Sequence, residues 1–233
     1  MKNPKLFIPG PTQVTEDILK AMAKSQIGHR TDEMSILIKE IIKGIQNLLY
    51  TNNKILLTSN PATLLWEMGL VNSVSKGVLV AVNGAFSNKW SLISQKYNFN
   101  NLVAKYEWGK SVKVDEIDKL LSTGNFDTLA MVHNETSTGV MNNLDVISDL
   151  LKTKYPDIVW LVDSVSSMAG VKIEVDKLGI DYIFSSTQKA WGLPAGFSVC
   201  SISDKISKKS KTLKNKGYYL DLESYEKYYK KYQ

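Results

Sequence analysis

Along most of this chain, short β-branched or apolar runs alternate with stretches of helical periodicity, and that alternation constrains its fold more than any other feature. Strands are predicted at Lys54–Thr58, Val78–Val82, Leu102–Tyr106, Thr128–His133, Ile158–Asp163, Asp181–Ser185 and Phe197–Ile202. Helices are predicted near 61–74, 86–97, 114–121 and 144–154. Upstream, 31–50 reads as a longer helix, with Thr31 as N-cap and Asp32 and Glu33 in the first turn. Met34, Ile38, Ile41, Ile42, Ile45 and Leu49 fall along one side of it. Strands that alternate with helices build βαβ units. The expected fold class is therefore α/β, a mostly parallel seven-stranded sheet with helices on both faces. Val78–Val82 and Ile158–Val162 are continuously apolar, as strands covered on both faces should be. Such sheets bind ligands beyond the carboxyl ends of their strands, so chemistry is sought there.

The chain has 233 residues, 43% hydrophobic and 22% charged, which is enough apolar material for one large domain or one and a half. A single cysteine, Cys200, excludes an internal disulfide framework and a Cys-based metal cage. His29 and His133 lie far apart in sequence, so no metal site is expected. The start, MKNPKLFIPGP, puts Pro and Gly where a signal peptide needs an unbroken apolar run. No apolar stretch approaches the ~20 residues that span a bilayer. The expectation is a cytoplasmic chain with no membrane partner. The net charge of +6 is concentrated in residues 201–233, which hold nine Lys and four acids, whereas the first 200 residues are nearly balanced. A groove that tracks a phosphate backbone belongs to the folded surface, so no nucleic-acid partner is expected. Tyr225, Tyr228, Tyr229 and Tyr232 fall on one helical face, which reads as an amphipathic packing helix.

Three strand ends stand out. Ile158–Val162 ends in Asp163, and a carboxylate at the mouth of a buried strand is costly unless something cationic faces it; a loop or capping carboxylate is the plainer alternative. Asp181–Ser185 runs into Ser186-Thr187-Gln188-Lys189, ahead of a Trp-Gly-Leu-Pro loop. Partial burial there would lower the Lys189 pKa and make its amine a nucleophile, whereas a lone lysine is more often simply solvated. Lys54–Thr58 leads to Asn60, a good N-cap, and Pro61, suited to the first helical position. The N–H groups of Ala62 and Thr63 would then make an anion site at a helix start. A nucleophilic amine, a carboxylate and a phosphate cradle are the parts that pyridoxal 5'-phosphate needs. Phe86, just after a strand, is available to stack on the pyridine, or to pack in the core.

The chain resembles the class V family of pyridoxal-phosphate-dependent aminotransferases, the serine–pyruvate/alanine–glyoxylate branch most closely. The resemblance runs from Phe7 to the tail. It is carried by Pro9-Gly10-Pro11-Thr12, Gly28-His29-Arg30, Asn83-Gly84, His133 through Gly139, Asp163 through Ser167, and Ser186 through Lys189. It implies that Lys189 forms the Schiff base and shuttles the proton, and that Asp163 pairs with the pyridine nitrogen. It further implies that Thr136 bonds the phenolic oxygen, that Gln188 and Thr63 contact the phosphate, that Phe86 stacks and Val165 packs on the ring, and that Gly10 lies on the substrate side. The implied partners are a small amino acid, a 2-oxo acid and a second copy of the chain.

The sequence departs from the family pattern in three respects. The phosphate segment reads Ser59-Asn60-Pro61-Ala62-Thr63, and Pro61 lacks a backbone donor. The sequence stops at Gln233, before the C-terminal small domain that the resemblance implies. That domain normally brings a carboxylate-clamping arginine; the one arginine here, Arg30, does not align with it. The expected organisation is an N-terminal arm (1–15), a large cofactor-binding domain (16–217) and an amphipathic helix (218–233) leading to the missing domain. The expected activity moves an amino group from alanine or serine to glyoxylate or pyruvate. The alternative is a truncated, impaired cofactor-binding domain that acts only as a dimer partner or is a gene remnant. Cysteine desulfuration would need a mobile nucleophilic cysteine, and Cys200 lies in a predicted strand.

Overall fold

A computed structural model describes the backbone of residues 5–232 and the side chains of residues 5–229. Residues 1–4 of the expected N-terminal arm, Gln233, and the side chain of Tyr232 in the expected tyrosine face lie outside the described residues. In chain order the elements are α1 (Glu16–Met22), α2 (Asp32–Leu49), β1 (Lys54–Thr58), α3 (Ala62–Val71), β2 (Val78–Val82) and α4 (Ala85–Lys96). Then come β3 (Asn101–Lys105), α5 (Val114–Leu121), β4 (Thr128–Val132), a small hairpin of β5 (Asn134–Glu135) and β6 (Val140–Met141), and α6 (Leu144–Lys154). The chain continues through β7 (Val159–Asp163), α7 (Val175–Leu178), β8 (Tyr182–Ser186), β9 (Ser198–Ile202), α8 (Asp204–Lys211) and α9 (Leu222–Tyr232). All seven predicted strands are present; α1, the hairpin, α7 and α8 were not foreseen.

The seven strands form one sheet in the order β1-β9-β8-β7-β4-β2-β3. Pairs β2·β3, β2·β4, β4·β7 and β7·β8 are parallel, while β9 runs antiparallel to both β8 and β1. The reversal has a simple cause. A parallel crossover needs a dozen or more residues, usually a helix, and only the tight loop that carries Lys189 separates β8 from β9. Six strands thus present their carboxyl ends at one edge. There β2 leads outward to β3 while β4 leads the other way to β7, so the edge between β2 and β4 is a topological switch point.

Alternation along the strands sorts the core into two layers. Leu79, Ala81, Trp160 and Val162 face one side with Ile42, Ile45 and Leu49 of α2 and Ile147 of α6. Val78, Val80, Val82, Val159 and Leu161 face the other side with Leu65 and Met68 of α3, Trp90 of α4 and Ile206 of α8. α2 starts as expected: Thr31 accepts from the Met34 N–H, and Asp32 and Glu33 occupy the first turn. Its apolar stripe is wider than its buried part, because Ile41 is 38% exposed and belongs to an outer apolar face with Ile36, Leu37 and Leu48. In α9, Tyr225 and Tyr229 pack against the core while Tyr228 is 59% exposed. No helix among the described residues is long and apolar enough to cross a membrane.

Candidate active site

At the carboxyl edge of the sheet lies a cavity of about 210 Å³. Asp163 and Val165 reach it from the end of β7, and Ser186, Gln188 and Lys189 from the end of β8. Pro61, Ala62, Thr63 and Trp66 line it from α3, Phe86 and Lys89 from α4, and Asn134 and Thr136 from the segment after β4. Eight of the nine residues singled out by sequence therefore wall one cavity. The ninth, Gly10, touches its lysine: a Cβ built on Gly10 would stand 2.5 Å from Lys189 Cδ and 2.9 Å from the Gln188 carbonyl oxygen. Only glycine lets the N-terminal arm pass this close. Thr12 fixes the arm there, its N–H donating to Gln188 O at 3.0 Å and its hydroxyl to Lys189 O at 3.0 Å.

Asp163 is 3% exposed. Trp66 Nε1 donates to Oδ2 at 2.8 Å, and the Val165 N–H donates to Oδ1 at 2.8 Å. Burial pushes the carboxyl up to about 6; the Val165 and Trp66 donors and the Lys189 charge pull it down, and Glu135 pushes it up. The group is thus an acid of tuned basicity, each oxygen holding one donor with lone pairs to spare. On the far side of the Asp163 main chain, the His133 N–H donates to the Asp163 carbonyl at 2.8 Å. The His133 ring is bonded through Nδ1 to Ser167 Oγ at 2.9 Å, and burial drives its pKa down to about 4, so it is neutral near pH 7.

Glu135 sets the Phe86 wall. Its carboxylate is fully buried and accepts the Phe86 N–H at 3.2 Å and the Ser87 N–H at 2.8 Å, capping α4. Burial pushes this carboxyl up, but donors from Ser137 and Ser87 outweigh it, and it titrates below its ordinary value. Gly84 makes room: a Cβ there would lie 2.4 Å from Glu135 Cγ. The loops after β4 and β7 are tied by Asn134 Nδ2 donating to Ser166 Oγ at 2.9 Å and Ser166 Oγ donating to Asn134 O at 3.0 Å.

The start of α3 corrects one expectation. Pro61, not Asn60, is the N-cap, with φ −72° and ψ 151°, and the helix begins at Ala62. Proline fixes φ but not ψ, so an extended ψ leaves it outside the helix. The consequence at the cavity is unchanged: Ala62 and Thr63 are the first two helical residues, whose N–H groups have no partner within the helix. The Asn60 amide makes no cap and is buried without a partner among the described residues.

Trp66 and Lys89 went unread in the sequence. Lys89 Nζ stands 5.2 Å from the centroid of the Trp66 ring and 5.0 Å from that of Phe86. Helical spacing could have found both, since Trp66 lies three residues after Thr63 and Lys89 three after Phe86. Arg30 is exposed in the turn before α2 and does not line the cavity. Cys200 is fully buried in β9 and burial holds its thiol far above the usual range, so it lacks the reach and the thiolate that desulfuration requires.

A family model described as aminotransferase class-V matches residues 6–233. Among curated proteins, the chain is 37% identical over 227 residues to the soluble hydrogenase 42 kDa subunit of Anabaena cylindrica, covering 95% of this chain and 59% of that protein. It is 31% identical over 231 residues to serine–glyoxylate aminotransferase of Arabidopsis thaliana, covering 97% of this chain and 58% of that one. A crystal structure of alanine–glyoxylate aminotransferase from Nostoc sp. superposes with a TM-score of 0.88 at 28% identity, over 98% of this chain and 63% of that one. The chain thus spans somewhat under two thirds of the length of these relatives.

Proposed function

Because the chain belongs to the class-V aminotransferase family, we propose that it is a pyridoxal-phosphate-dependent transaminase. It moves an amino group from a small 2-amino acid, alanine or serine, to a 2-oxo acid, glyoxylate or pyruvate. The observation that carries this reading is that Lys189, Asp163 and the open N-terminus of α3 line a single cavity. The donor set fits the cofactor: an amine on the lysine loop, one buried carboxylate, a helix start that receives an anion, and aromatic and aliphatic walls. Pyridoxal phosphate, when bound, supplies an aldehyde for amines and a ring that draws an electron pair away from the substrate carbon.

The chain's own residues supply the rest. The Lys189 amine would hold the cofactor through its aldehyde carbon, and its Nζ is the atom that would carry a proton to and from the substrate. The Asp163 carboxylate holds a proton on the ring nitrogen, and burial makes that ion pair stronger than it would be in water. Ala62 and Thr63 N–H groups, the Thr63 hydroxyl and the Gln188 side chain take the phosphate. Phe86 and Val165 would wall the ring, and the Thr136 hydroxyl would bond the phenolic oxygen. Gly10 keeps the arm close to Lys189 on the side where substrate enters. In this reading residues 16–217 form the cofactor-binding unit, the arm precedes it, and the tail helix follows it.

The reading extends to a second copy of the chain. Phe7 is 91% exposed, with Leu6 and Ile8 beside it in the arm, and α2 turns Ile36 and Leu37 outward. Large apolar side chains left exposed on two elements are characteristic of surfaces that another subunit covers. Sedimentation is expected to give a dimer; a monomer that persists at high concentration would contradict it.

The direct test of function is single-turnover amino transfer. Protein loaded with pyridoxal phosphate is mixed with alanine or serine, and the cofactor spectrum and the 2-oxo product are followed, with glyoxylate then restoring the starting spectrum. Transfer in both halves supports the assignment. A lysine-linked cofactor band without any transfer would leave only a cofactor-binding domain.

A further inference from the structure

α3 and α4 both begin at the carboxyl edge of the sheet, at Ala62 and Ala85. One helical turn further on, each places a residue on the cavity wall, Trp66 from α3 and Lys89 from α4. Trp66 is 4% exposed, and its Nε1 donates to Asp163 Oδ2 at 2.8 Å. Its ring is confined by Trp90, with centroids 6.4 Å apart and planes at 52°. Lys89 Nζ stands 5.2 Å from the Trp66 ring centroid and 5.0 Å from that of Phe86. The ammonium pairs with no acid among the described residues, so these two rings are its partners. Three groups are thus joined by contact: a cation over an indole ring, and the indole N–H against a buried carboxylate.

A cation over an indole draws the ring's electrons toward itself. The N–H then carries more positive charge and donates more strongly. A stronger donor to a carboxyl oxygen favours the ionised form. We propose that Trp66 and Lys89 are paired positioning residues: Trp66 holds Asp163 Oδ2 in place and ionised, and Lys89 holds the indole and strengthens its N–H. Other groups also face Asp163. Lys189, from the loop after β8, favours the ionised carboxyl, and Glu135, from β5, opposes it. His133, just after β4, is buried and neutral near pH 7. The Val165 N–H serves the other oxygen. Trp66 is therefore the side-chain donor to Asp163 among the described residues, and Lys89 is the cation set on that donor's ring. For catalysis the inference rests on the cofactor reading above, in which Asp163 must be charged; for the titration of the carboxyl itself it does not.

NMR of apo protein, isotope-labelled at the aspartate carboxyl carbons, reads the Asp163 proton directly. The Asp163 signal is the one missing from Asp163→Asn, and its movement with pH gives a midpoint, expected near 6 in the wild type. Trp66→Phe keeps a ring and removes the N–H. Its midpoint should rise by about one pH unit, a tenfold tighter hold on the proton. Lys89→Gln, at an exposed helix position, should raise the midpoint by about 0.3 unit, a twofold effect, and Lys89→Arg should restore it. In the Trp66→Phe background, Lys89→Gln should add nothing. An unmoved midpoint in Trp66→Phe or in Lys89→Gln would overturn the inference. So would a Lys89→Gln shift that persists undiminished without the indole N–H, since that marks a direct effect of the charge. Should Trp66→Phe fail to fold, the two Lys89 variants decide the matter alone. In protein loaded with pyridoxal phosphate, the pH below which amino transfer declines should move up in the same order. Shifted midpoints in a protein that shows neither a lysine-linked band nor transfer would leave the pair standing and refute the cofactor reading.

Discussion

Lys189→Ala is expected to abolish the absorbance band of a lysine-bound cofactor and to lower amino transfer by about a thousandfold or more. In the proposed reading the amine does two jobs at one atom, holding the cofactor covalently and carrying the proton, and no other group on the cavity wall is placed to do both. Lys89, the second cation there, stands over the rings of Phe86 and Trp66 on α4. The loss should be chemical rather than structural. The Lys189 loop is held by its own backbone, with the Gly192 N–H donating to Lys189 O at 3.0 Å and the Leu193 N–H to Thr187 O at 3.1 Å. Thr187 Oγ1 adds a bond to Pro194 O at 2.6 Å. Truncating a half-buried side chain that leaves these bonds intact should change stability by less than about 1 kcal/mol. Absorbance and thermal melts on the same preparation separate the two effects, and a band that survives in the variant would dismiss Lys189 as the anchor.

Asp163→Asn should lower amino transfer by about a hundredfold or more, because the charge that the proposed reading sets against the ring nitrogen is gone while the shape is kept. The amide also fits its site poorly. Trp66 Nε1 and the Val165 N–H aim one donor at each oxygen, so one of them must meet an NH₂ group. The same substitution has a signature in stability that needs no cofactor. In the native state the Asp163 carboxyl is raised from 3.8 to about 6. Between those values the folded protein holds this proton more tightly than the unfolded chain does. Stability therefore falls as pH rises from 4 to 6, by about 2 kcal/mol from this group alone. His133 works in the opposite direction. Its pKa is lowered to about 4 by burial, so the unfolded chain takes up that proton first, and stability is lost as pH falls from 6.5 toward 4. The two slopes oppose each other in the wild type. Removing the Asp163 charge unmasks the His133 slope, and the stability of the variant should climb with pH more steeply than that of the wild type. Urea unfolding at pH 4.5 and 6.5 reads this directly; parallel pH dependences in the two proteins would show that Asp163 does not carry the raised pKa.

The parts of the fold that were legible in the sequence were those set by local patterning. Val78–Val82 and Val159–Val162 are apolar throughout and cannot be stable unless covered on both faces, so the strand identity and the parallel sheet followed together. The Thr31 cap and the acidic first turn of α2 were equally readable, because capping is a matter of a few adjacent residues. Motif words located the cavity wall for a related reason: in a parallel sheet, the residue after a strand always arrives at the same edge.

Other features depended on residues distant in sequence. The antiparallel course of β9 depends on the Lys189 loop being too short for a crossover. The choice of Pro61 over Asn60 as the cap of α3 depends on a ψ angle that no residue type fixes. The tuned basicity of Asp163 depends on burial by surrounding segments, offset by the donor of Trp66, 97 positions away. The cap on α4 depends on Glu135, nearly fifty positions away, passing beside a glycine. Periodicity and capping act over a few residues and leave their mark in the order of the amino acids, so the sequence alone determined the seven strands of the sheet and its longer helices, and marked the strand ends that line the cavity. Burial and donor geometry are made by chain segments that meet only after folding. The tertiary structure alone therefore decided how those ends converge and what basicity each acid has.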